Sequence, residues 1–301
     1  MEEKKQLLML VGPPGSGKST YANKHIEANK YSEDDVAYIN QDSQGKEGHL
    51  DLFKQALADE KNIIVDRMNF SRKQRLRYLE PARKAKYEIH IVVLHVPMKE
   101  CLERCNKREN HPTVKTEEDA QNAVTFFFKN YGRVKDKEAD KVTRLGWDNK
   151  DKIDVVVCDL DGTLAKIDHR LHWVRNEDKK ERNWKKFFDE MYLDEVNEWC
   201  RTLLVNMSNN NMIIYATGRP GEYMDITREW LVDNRLAFSG FELYSRLEGD
   251  YRADTQIKEI ILEFEILPRY GILFVVDDRP SVCRMWRERG VTVLQCQDKE
   301  F

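Results

Sequence analysis

Along the first half of the chain, short unbroken apolar runs alternate with longer stretches in which apolar residues recur every three or four positions. The runs cover residues 7–11, 36–39, 63–65 and 89–96. An unbroken apolar run suits a strand covered on both faces, as in a parallel sheet. Helical periodicity marks residues 19–29, 49–58, 72–86, 98–107 and 116–131. Thr116 and Asp119 open the last of these at the spacing of a capping pair. Strand and helix signals in alternation predict a doubly wound parallel α/β sheet. Ligands of such sheets bind beyond the carboxyl ends of the strands.

The pattern breaks at 132–152, which is highly charged and has few apolar residues. A domain boundary is placed there, giving domains 1–150 and 151–301; Trp147 is expected to pack on one of them. Apolar runs resume at 153–158, 212–216 and 272–276, and helical periodicity at 254–264. A second doubly wound parallel sheet follows. Residues 173–204 are rich in charge and aromatics. Trp184, Phe187, Phe188, Met191 and Tyr192 fall there at helical spacings, which predicts a small helical cap packed on the sheet; base stacking is the rival use.

Composition narrows the class. The 301 residues are 41% hydrophobic and 34% charged, with a net charge of −3. Two cores can be built, and nucleic-acid contact has to come from local basic patches. One candidate is 67–86, with eight basic residues and one acidic; a solvated helix face is the rival reading. Six cysteines without a C-x-x-C pair read as reduced thiols. No leader pattern or membrane-length apolar run is visible, so a cytoplasmic location (the host cytoplasm for a viral protein) and no membrane partner are expected.

Chemistry gathers at the strand ends. Gly12-Pro13-Pro14-Gly15-Ser16-Gly17-Lys18-Ser19-Thr20 reads G-x-x-x-x-G-K-S between a strand and a helix. In such a phosphate-binding loop, backbone N–H groups and the helix N-terminus face the anion. Lys18 reaches the β- and γ-phosphates of ATP, and the Ser19 hydroxyl holds Mg²⁺. Gly15, Ser16, Gly17 and Thr20 complete the cradle. Asp42 follows the second strand, where a carboxylate can take the proton of an attacking hydroxyl; a turn aspartate is the alternative. Asp66 ends the third strand and either serves the active site or caps the strand. Arg104 and Arg108 share a helix face. They are placed near the nucleotide, with Arg108 in the part of an arginine finger or simply solvated.

In the second half, Asp159-Leu160-Asp161-Gly162-Thr163 follows an apolar run. Residues i and i+2 of a strand share a face, so Asp159 and Asp161 enter one site. Two carboxylates that close repel and call for a cation. With Mg²⁺ bound, one serves as nucleophile and the other delivers a proton. Thr217-Gly218-Arg219 ends the next run and suits a phosphate; Lys258 adds a point charge. Asp277-Asp278 ends the last run and completes the metal set.

These residues carry a resemblance. The second half resembles the haloacid-dehalogenase superfamily of aspartyl-phosphate phosphatases. The whole chain resembles the bacteriophage-type bifunctional polynucleotide 5′-kinase/3′-phosphatases, a P-loop kinase joined to such a phosphatase. The resemblance implies Asp159 as nucleophile and Asp161 as general acid for the leaving 3′-hydroxyl. It implies Thr217 and Lys258 on the transferred phosphate, and Arg170, Arg219, Arg246 and Asp254 as polar groups near the substrate. Asp277 and Asp278 join the Mg²⁺ site with Asp159 and Asp161. Asp42 is implied as the kinase base, Arg108 as the lid arginine and Asp66 as a substrate-side group. Implied partners are single-stranded or nicked RNA or DNA ends, a second copy of the chain, and an RNA or DNA ligase. Two departures stand out. Gly45 occupies the position where the phage pattern has an arginine contacting the substrate's 3′-phosphate. Residues 171–193 are longer and more aromatic than in that pattern. The rival readings are a kinase/phosphatase of small nucleoside or sugar phosphates, and a nucleotide-binding adaptor that recruits the phosphatase.

Overall fold

The computed structural model describes residues 4–32, 34–107, 116–147, 151–175 and 178–297. The chain forms two compact units, residues 1–149 and 150–301. Each is built on a five-stranded, all-parallel sheet. This is the two-sheet α/β architecture expected from the alternating pattern.

In the first unit the strands are β1 (Gln6–Val11), β2 (Val36–Asn40), β3 (Asn62–Asp66), β4 (Glu88–Leu94) and β5 (Lys141–Leu145), in the order β2-β3-β1-β4-β5. The helices are α1 (Lys18–Asn29), α2 (Gln41–Ala58), α3 (Arg72–Lys84), α4 (Met98–Asn106) and α5 (Glu117–Asn130). The five inner residues of β1 are fully covered, as its unbroken apolar run requires. Thr116 and Asp119 close a reciprocal capping box on α5.

Two expectations need correction here, and that for Trp147 is met within the first unit. The charged join at 132–152 contains β5, a half-buried edge strand beside β4. Edge strands need no continuous apolar run and tolerate charges, so its lysine and arginine hid it. Trp147 packs on His95 of the same unit, ring centroids 4.5 Å apart. The basic run at 67–86 is also no plain solvated face. Arg75 is fully buried, gripping Glu138 at 2.8 and 3.1 Å and the Gly132 carbonyl at 3.0 Å.

In the second unit the strands are β6 (Ile153–Cys158), β7 (Ala165–Lys166), β8 (Glu195–Val196), β9 (Met212–Pro220), β10 (Glu242–Arg246), β11 (Tyr270–Asp277) and β12 (Val293–Gln295). The main sheet runs β10-β9-β6-β11-β12, while β7 and β8 form an antiparallel pair of their own. The helices are α6 (Trp184–Asp189), α7 (Glu198–Met207), α8 (Met224–Asp233), α9 (Asp254–Ile260) and α10 (Pro280–Glu288), with a π-helical turn at Ile261–Ile266 extending α9. The stretch at 173–204 is more broken than one cap helix. Its first part is α6 with flanking 3₁₀ turns, where Phe187 packs on Ile167, Leu171 and Val174. Its end, α7, buries Cys200 and Leu204 against Val156 and Cys158 and so belongs to the main core. Among the described residues no helix is long and apolar enough to cross a membrane.

In each sheet the strand that leads into the candidate chemistry, β1 or β6, lies centrally, with neighbours whose connections run in opposite directions. That is the switch point at which a crevice opens in a doubly wound sheet.

Candidate active sites

In the first unit the loop after β1 is tied to the loop after β3. The Gly12 N–H donates to the Met68 carbonyl at 3.2 Å, and the Asn69 amide donates to the Leu10 carbonyl at 2.8 Å. Lys18 opens α1, and its Nζ donates to the Gly12 and Pro13 carbonyls at 3.0 and 2.7 Å. The ammonium thus lies against the loop that would wrap a phosphate. Among the described residues, buried Ser16 Oγ has no hydrogen-bond partner, a donor left inside the cradle. A pocket of about 410 Å³ is lined by Gly15, Gly17, Thr20, Tyr21, Lys24, Leu94 and Arg104. Arg104 also donates to the Gly15 carbonyl at 3.4 Å. The orphan hydroxyl, the loop lysine and the adjoining pocket fit a nucleoside polyphosphate.

Asp66 closes β3, where a place in the active site or a plain strand cap was expected. It is buried, and its Oδ2 accepts from Ser19 Oγ at 2.6 Å and from the Tyr38 hydroxyl. Burial and this bond push the Tyr38 hydroxyl up to about 12, so it stays a donor. Asp66 therefore orients the Ser19 hydroxyl, the group expected on Mg²⁺. Asp42 is exposed in the first turn of α2, where the Asn40 side chain accepts its N–H at 2.8 Å. Next to it, Gln41 accepts from Arg67, whose other arm donates to the Tyr78 hydroxyl at 2.7 Å. Gly45 breaks α2 at φ 74°, ψ 179°. Only glycine adopts that conformation readily, so an arginine at this position would need a different backbone. Arg108 lies outside the described residues.

In the second unit, Asp159, Asp277 and Asp278 converge, with one carboxylate oxygen from each lying within 4.8 Å of the others. They come from the tips of the adjacent strands β6 and β11. Lys258 on α9 stands among them, 2.7 Å from Asp159 and 2.9 Å from Asp277, with Asp254 at 3.5 Å. Thr163 Oγ1 lies 3.3 Å from Asp159 and 3.4 Å from Asp278. Gly162 has φ 88°, and a Cβ there would stand 2.2 Å from Asp278 Oδ2, so the turn can close on the carboxylate only without a side chain.

Burial pushes the Asp159 carboxyl up; Lys258 opposes this, and the charges of Asp277 and Asp278 reinforce it. Burial likewise lifts Asp278 to about 6, with Lys258 opposing and Asp277 adding. Burial alone would lower the Lys258 ammonium, but Asp159, Asp254 and Asp277 hold it well above its usual value. The cluster carries more negative charge than its lysine neutralises. An all-oxygen, charge-excess set of this kind fits a hard divalent cation such as Mg²⁺.

Asp161, expected in the metal set, is absent from that cluster. Its Oδ1 is held instead by Arg170 at 2.6 Å and by Arg219 at 3.0 and 2.6 Å. Burial opposes its ionisation, but Arg219 and Arg170 prevail and keep it well below the usual carboxylate range. Arg170 and Arg219, expected near the substrate, are fully buried and grip Asp161 and Asp194. Neither presents a face to solvent. Thr217 is also fully buried, within β9. Arg246 donates to the Gly218 and Asp250 carbonyls, each at 3.0 Å, and braces the turn that carries Asp254. Arg279 reaches Asp254 at 3.4 Å. Sequence reasoning passed over Asp194 altogether, because it stands in no motif and follows no long apolar run.

Residues 153–301 match the family described as the polynucleotide kinase PNKP phosphatase domain, and residues 7–126 match an AAA domain family. A putative bifunctional polynucleotide kinase/RNA ligase of Autographa californica nuclear polyhedrosis virus is 26% identical over 98% of this chain and 43% of its own length. A putative bifunctional polynucleotide phosphatase/kinase of Acanthamoeba polyphaga mimivirus is 29% identical over 31% of this chain and 22% of its own. The chain spans less than half the length of these curated relatives. A chain from the structure of the Pnkp1/Rnl/Hen1 RNA repair complex aligns over 100% of this chain and 98% of its own, with 22% identity and a TM-score of 0.43. The matched ranges fall one in each unit: the second unit belongs to the polynucleotide kinase phosphatase-domain family, and it shares its chain with a P-loop domain of the AAA type.

Proposed function

We propose that the chain is a nucleic-acid end-healing enzyme. Its first unit transfers the ATP γ-phosphate to a 5′-hydroxyl end, and its second hydrolyses a 3′-phosphate through an aspartyl-phosphate. The observation that carries the reading is Asp159: a buried carboxylate at a strand tip, with Lys258 on one oxygen and Asp277 and Asp278 beside it. A structural aspartate needs no such surroundings, whereas a nucleophile facing a phosphate dianion does.

In the kinase unit, Lys18 exchanges its loop carbonyls for the β- and γ-phosphates. Ser19, oriented by Asp66, would hold Mg²⁺ there. Asp42 takes the proton of the attacking 5′-hydroxyl, whose oxygen bonds to phosphorus as the bond to the β–γ bridging oxygen breaks and ADP departs. Arg104 borders the nucleotide, and Arg108 is assigned to the transferring group.

In the phosphatase unit, an oxygen of Asp159 bonds to phosphorus as the bond to the 3′-oxygen breaks. That oxygen takes its proton from Asp161. Water then cleaves the acyl phosphate, releasing inorganic phosphate and restoring Asp159. Asp161, then a carboxylate, takes a proton from the attacking water as the acyl phosphate is cleaved, which restores the acid for the next turnover. Lys258 and Thr217 hold the transferred group. Asp159, Asp277 and Asp278 would hold Mg²⁺, whose charge offsets that of the phosphoryl group.

The substrates are single-stranded or nicked RNA or DNA ends, with a ligase acting after them, as the name of the baculovirus relative suggests. A homo-oligomer and a cytoplasmic location complete the proposal. The test is to incubate the protein with ATP, Mg²⁺ and short RNA and DNA strands bearing 5′-hydroxyl and 3′-phosphate ends. Gain of a 5′-phosphate and loss of the 3′-phosphate are expected. Turnover of nucleoside or sugar phosphates with none of polymer ends would overturn the substrate; nucleotide binding without any transfer would overturn the kinase.

A further inference from the structure

The cap of the second unit divides its aromatic residues between two uses. Phe187 is buried and closes a small core with Ile167, Leu171 and Val174. Trp184 and Phe188, on the same short helix α6, are not spent in this way. Trp184 is 44% exposed and Phe188 is half-buried. Their rings lie 27° apart with centroids at 6.0 Å, and Phe188 lies 5.3 Å and 36° from the ring of Tyr223. Tyr223 stands in the turn that follows β9, and its hydroxyl donates to Asp189 of α6 at 3.1 Å. Three rings thus form a ladder from the carboxyl end of β9 out to solvent. The ladder stands next to the chemistry. Phe187 meets both Trp184 and Phe188 edge-on, and its ring lies 4.1 Å from the Arg170 guanidinium. Arg170 in turn reaches Asp161 at 2.6 Å.

The surroundings of the ladder are cationic. Residues 180–188 hold four basic residues and one acidic. Lys185 and Lys186 follow Trp184 and are exposed, and the Lys186 ammonium lies 4.3 Å from the ring centre of Trp173. Exposed rings set among cations have the make-up of a single-strand groove, where bases stack on rings and phosphates meet side-chain charge. A purely apolar partner would bury those ammonium groups at a cost, whereas a polynucleotide offers them phosphates. We propose that Trp184, Phe188 and Tyr223 are a stacking platform for the last bases of a single strand whose 3′-phosphate lies at Asp159. Stacking uses the π-face that every base has, so the platform grips an end without regard to its sequence. The proposal rests on the phosphatase reading above. It adds the part of the substrate, base rather than phosphate, that holds the strand in place.

The test uses the full chain with Mg²⁺ and two 3′-phosphorylated strands of equal length, one normal and one whose last two nucleotides lack bases. Wild-type protein should show a KM at least about tenfold lower on the normal strand, the scale of one base stacked on a ring. Trp184→Ala should raise KM on the normal strand by about that factor, with kcat kept, and should cost hardly anything on the baseless strand. Trp184→Phe should restore part of the loss. Equal losses on both strands would mean that Trp184 only braces the cap, and no loss on either that the ladder serves another partner; each result overturns the proposal. If Trp184→Ala does not fold, Trp184→Leu keeps the apolar cover of Phe187 without the ring. Loss confined to the normal strand is expected there too, and any other pattern overturns the proposal. Wild-type protein that cleaves both strands with one KM overturns the platform and leaves the phosphatase reading standing. Wild-type protein that cleaves p-nitrophenyl phosphate but neither strand overturns the polynucleotide substrate and the platform with it, and cleavage of none overturns the phosphatase itself.

Discussion

Replacing Lys258 with methionine isolates the charge logic of the second site. The side chain is 1% exposed, and its ammonium touches Asp159 at 2.7 Å and Asp277 at 2.9 Å. At an effective dielectric of about 20, each such contact attracts by about 6 kcal/mol. Desolvation of the buried ions offsets much of this, so removing one partner costs about 3–5 kcal/mol. Methionine keeps the volume, which leaves the charge as the main change. For a domain of this size, unfolding of the second unit in EDTA should come about 6–20 °C earlier. The three carboxylates left behind attract a divalent cation more strongly than before. Added Mg²⁺ should therefore recover more of the midpoint in Lys258→Met than it adds to the wild type. Turnover of a 3′-phosphate should stay lost, because metal replaces the charge but not the donor on the phosphate. Scanning calorimetry with and without Mg²⁺, beside an end-labelled phosphatase assay, reads both. Coincident midpoints in EDTA, or equal Mg²⁺ shifts in the two proteins, would refute the reasoning.

Lys18→Ala should abolish 5′-phosphorylation with 3′-phosphatase turnover intact, and Asp159→Ala should do the reverse; the end-labelled assay reads both, and loss of both activities in either variant would break the assignment. Arg67 is half-buried and, among the described residues, pairs with the neutral Gln41 and Tyr78 and with no carboxylate. Arg67→Gln should raise KM for a polynucleotide acceptor at least about tenfold, the scale of one charged hydrogen bond, and flatten its salt dependence, with KM for ATP unmoved. Burial opposes ionisation of Glu138, but its bonds to Arg75 hold the carboxyl below its ordinary value. That stabilisation is fully present above the unfolded value of about 4.3 and is lost as pH falls through the lower folded value. Urea midpoints of the first unit should fall on acidification below about pH 4, and less steeply in Glu138→Gln.

What was legible in the sequence follows from burial. Strands covered on both faces, such as β1 and β6, announce themselves as apolar runs. β5 and the three-residue β12 lie at sheet edges, where half the surface is wet and charges are tolerated. At the sites, residues next to a glycine or at a strand tip carried their position in their spacing, as Lys18, Ser19, Asp159, Asp277 and Asp278 did. Their partnerships did not show. Asp66 joins Ser19 across 47 residues and Lys258 joins Asp159 across 99, distances that only the folded sheet closes. Arg170 and Arg219 were legible as residues but not as roles. Nothing in one sequence separates an arginine that meets solvent from one that is wholly buried.

The two sites solve one electrostatic problem in opposite ways. Each must receive a phosphate carrying about two negative charges. The first prepares for it with dipoles and a loop cation: loop N–H groups, the start of α1, and Lys18 bonded to the Gly12 and Pro13 carbonyls. The second is buried and already densely charged, with Lys258, Arg170 and Arg219 paired with carboxylates. A loop that closes around its ligand can release a nucleoside diphosphate after transfer. On the proposed mechanism, a site that forms a bond to Asp159 needs its nucleophile and proton donor fixed beforehand, since misplacement of a reacting group by about 1 Å costs about 100-fold in rate. By that reasoning, substitutions that loosen packing without touching charge should damage the second activity more than the first. Thr227→Val, which removes only the hydroxyl supporting Arg219, is the direct comparison with a similar loss at Tyr38→Phe beside Asp66.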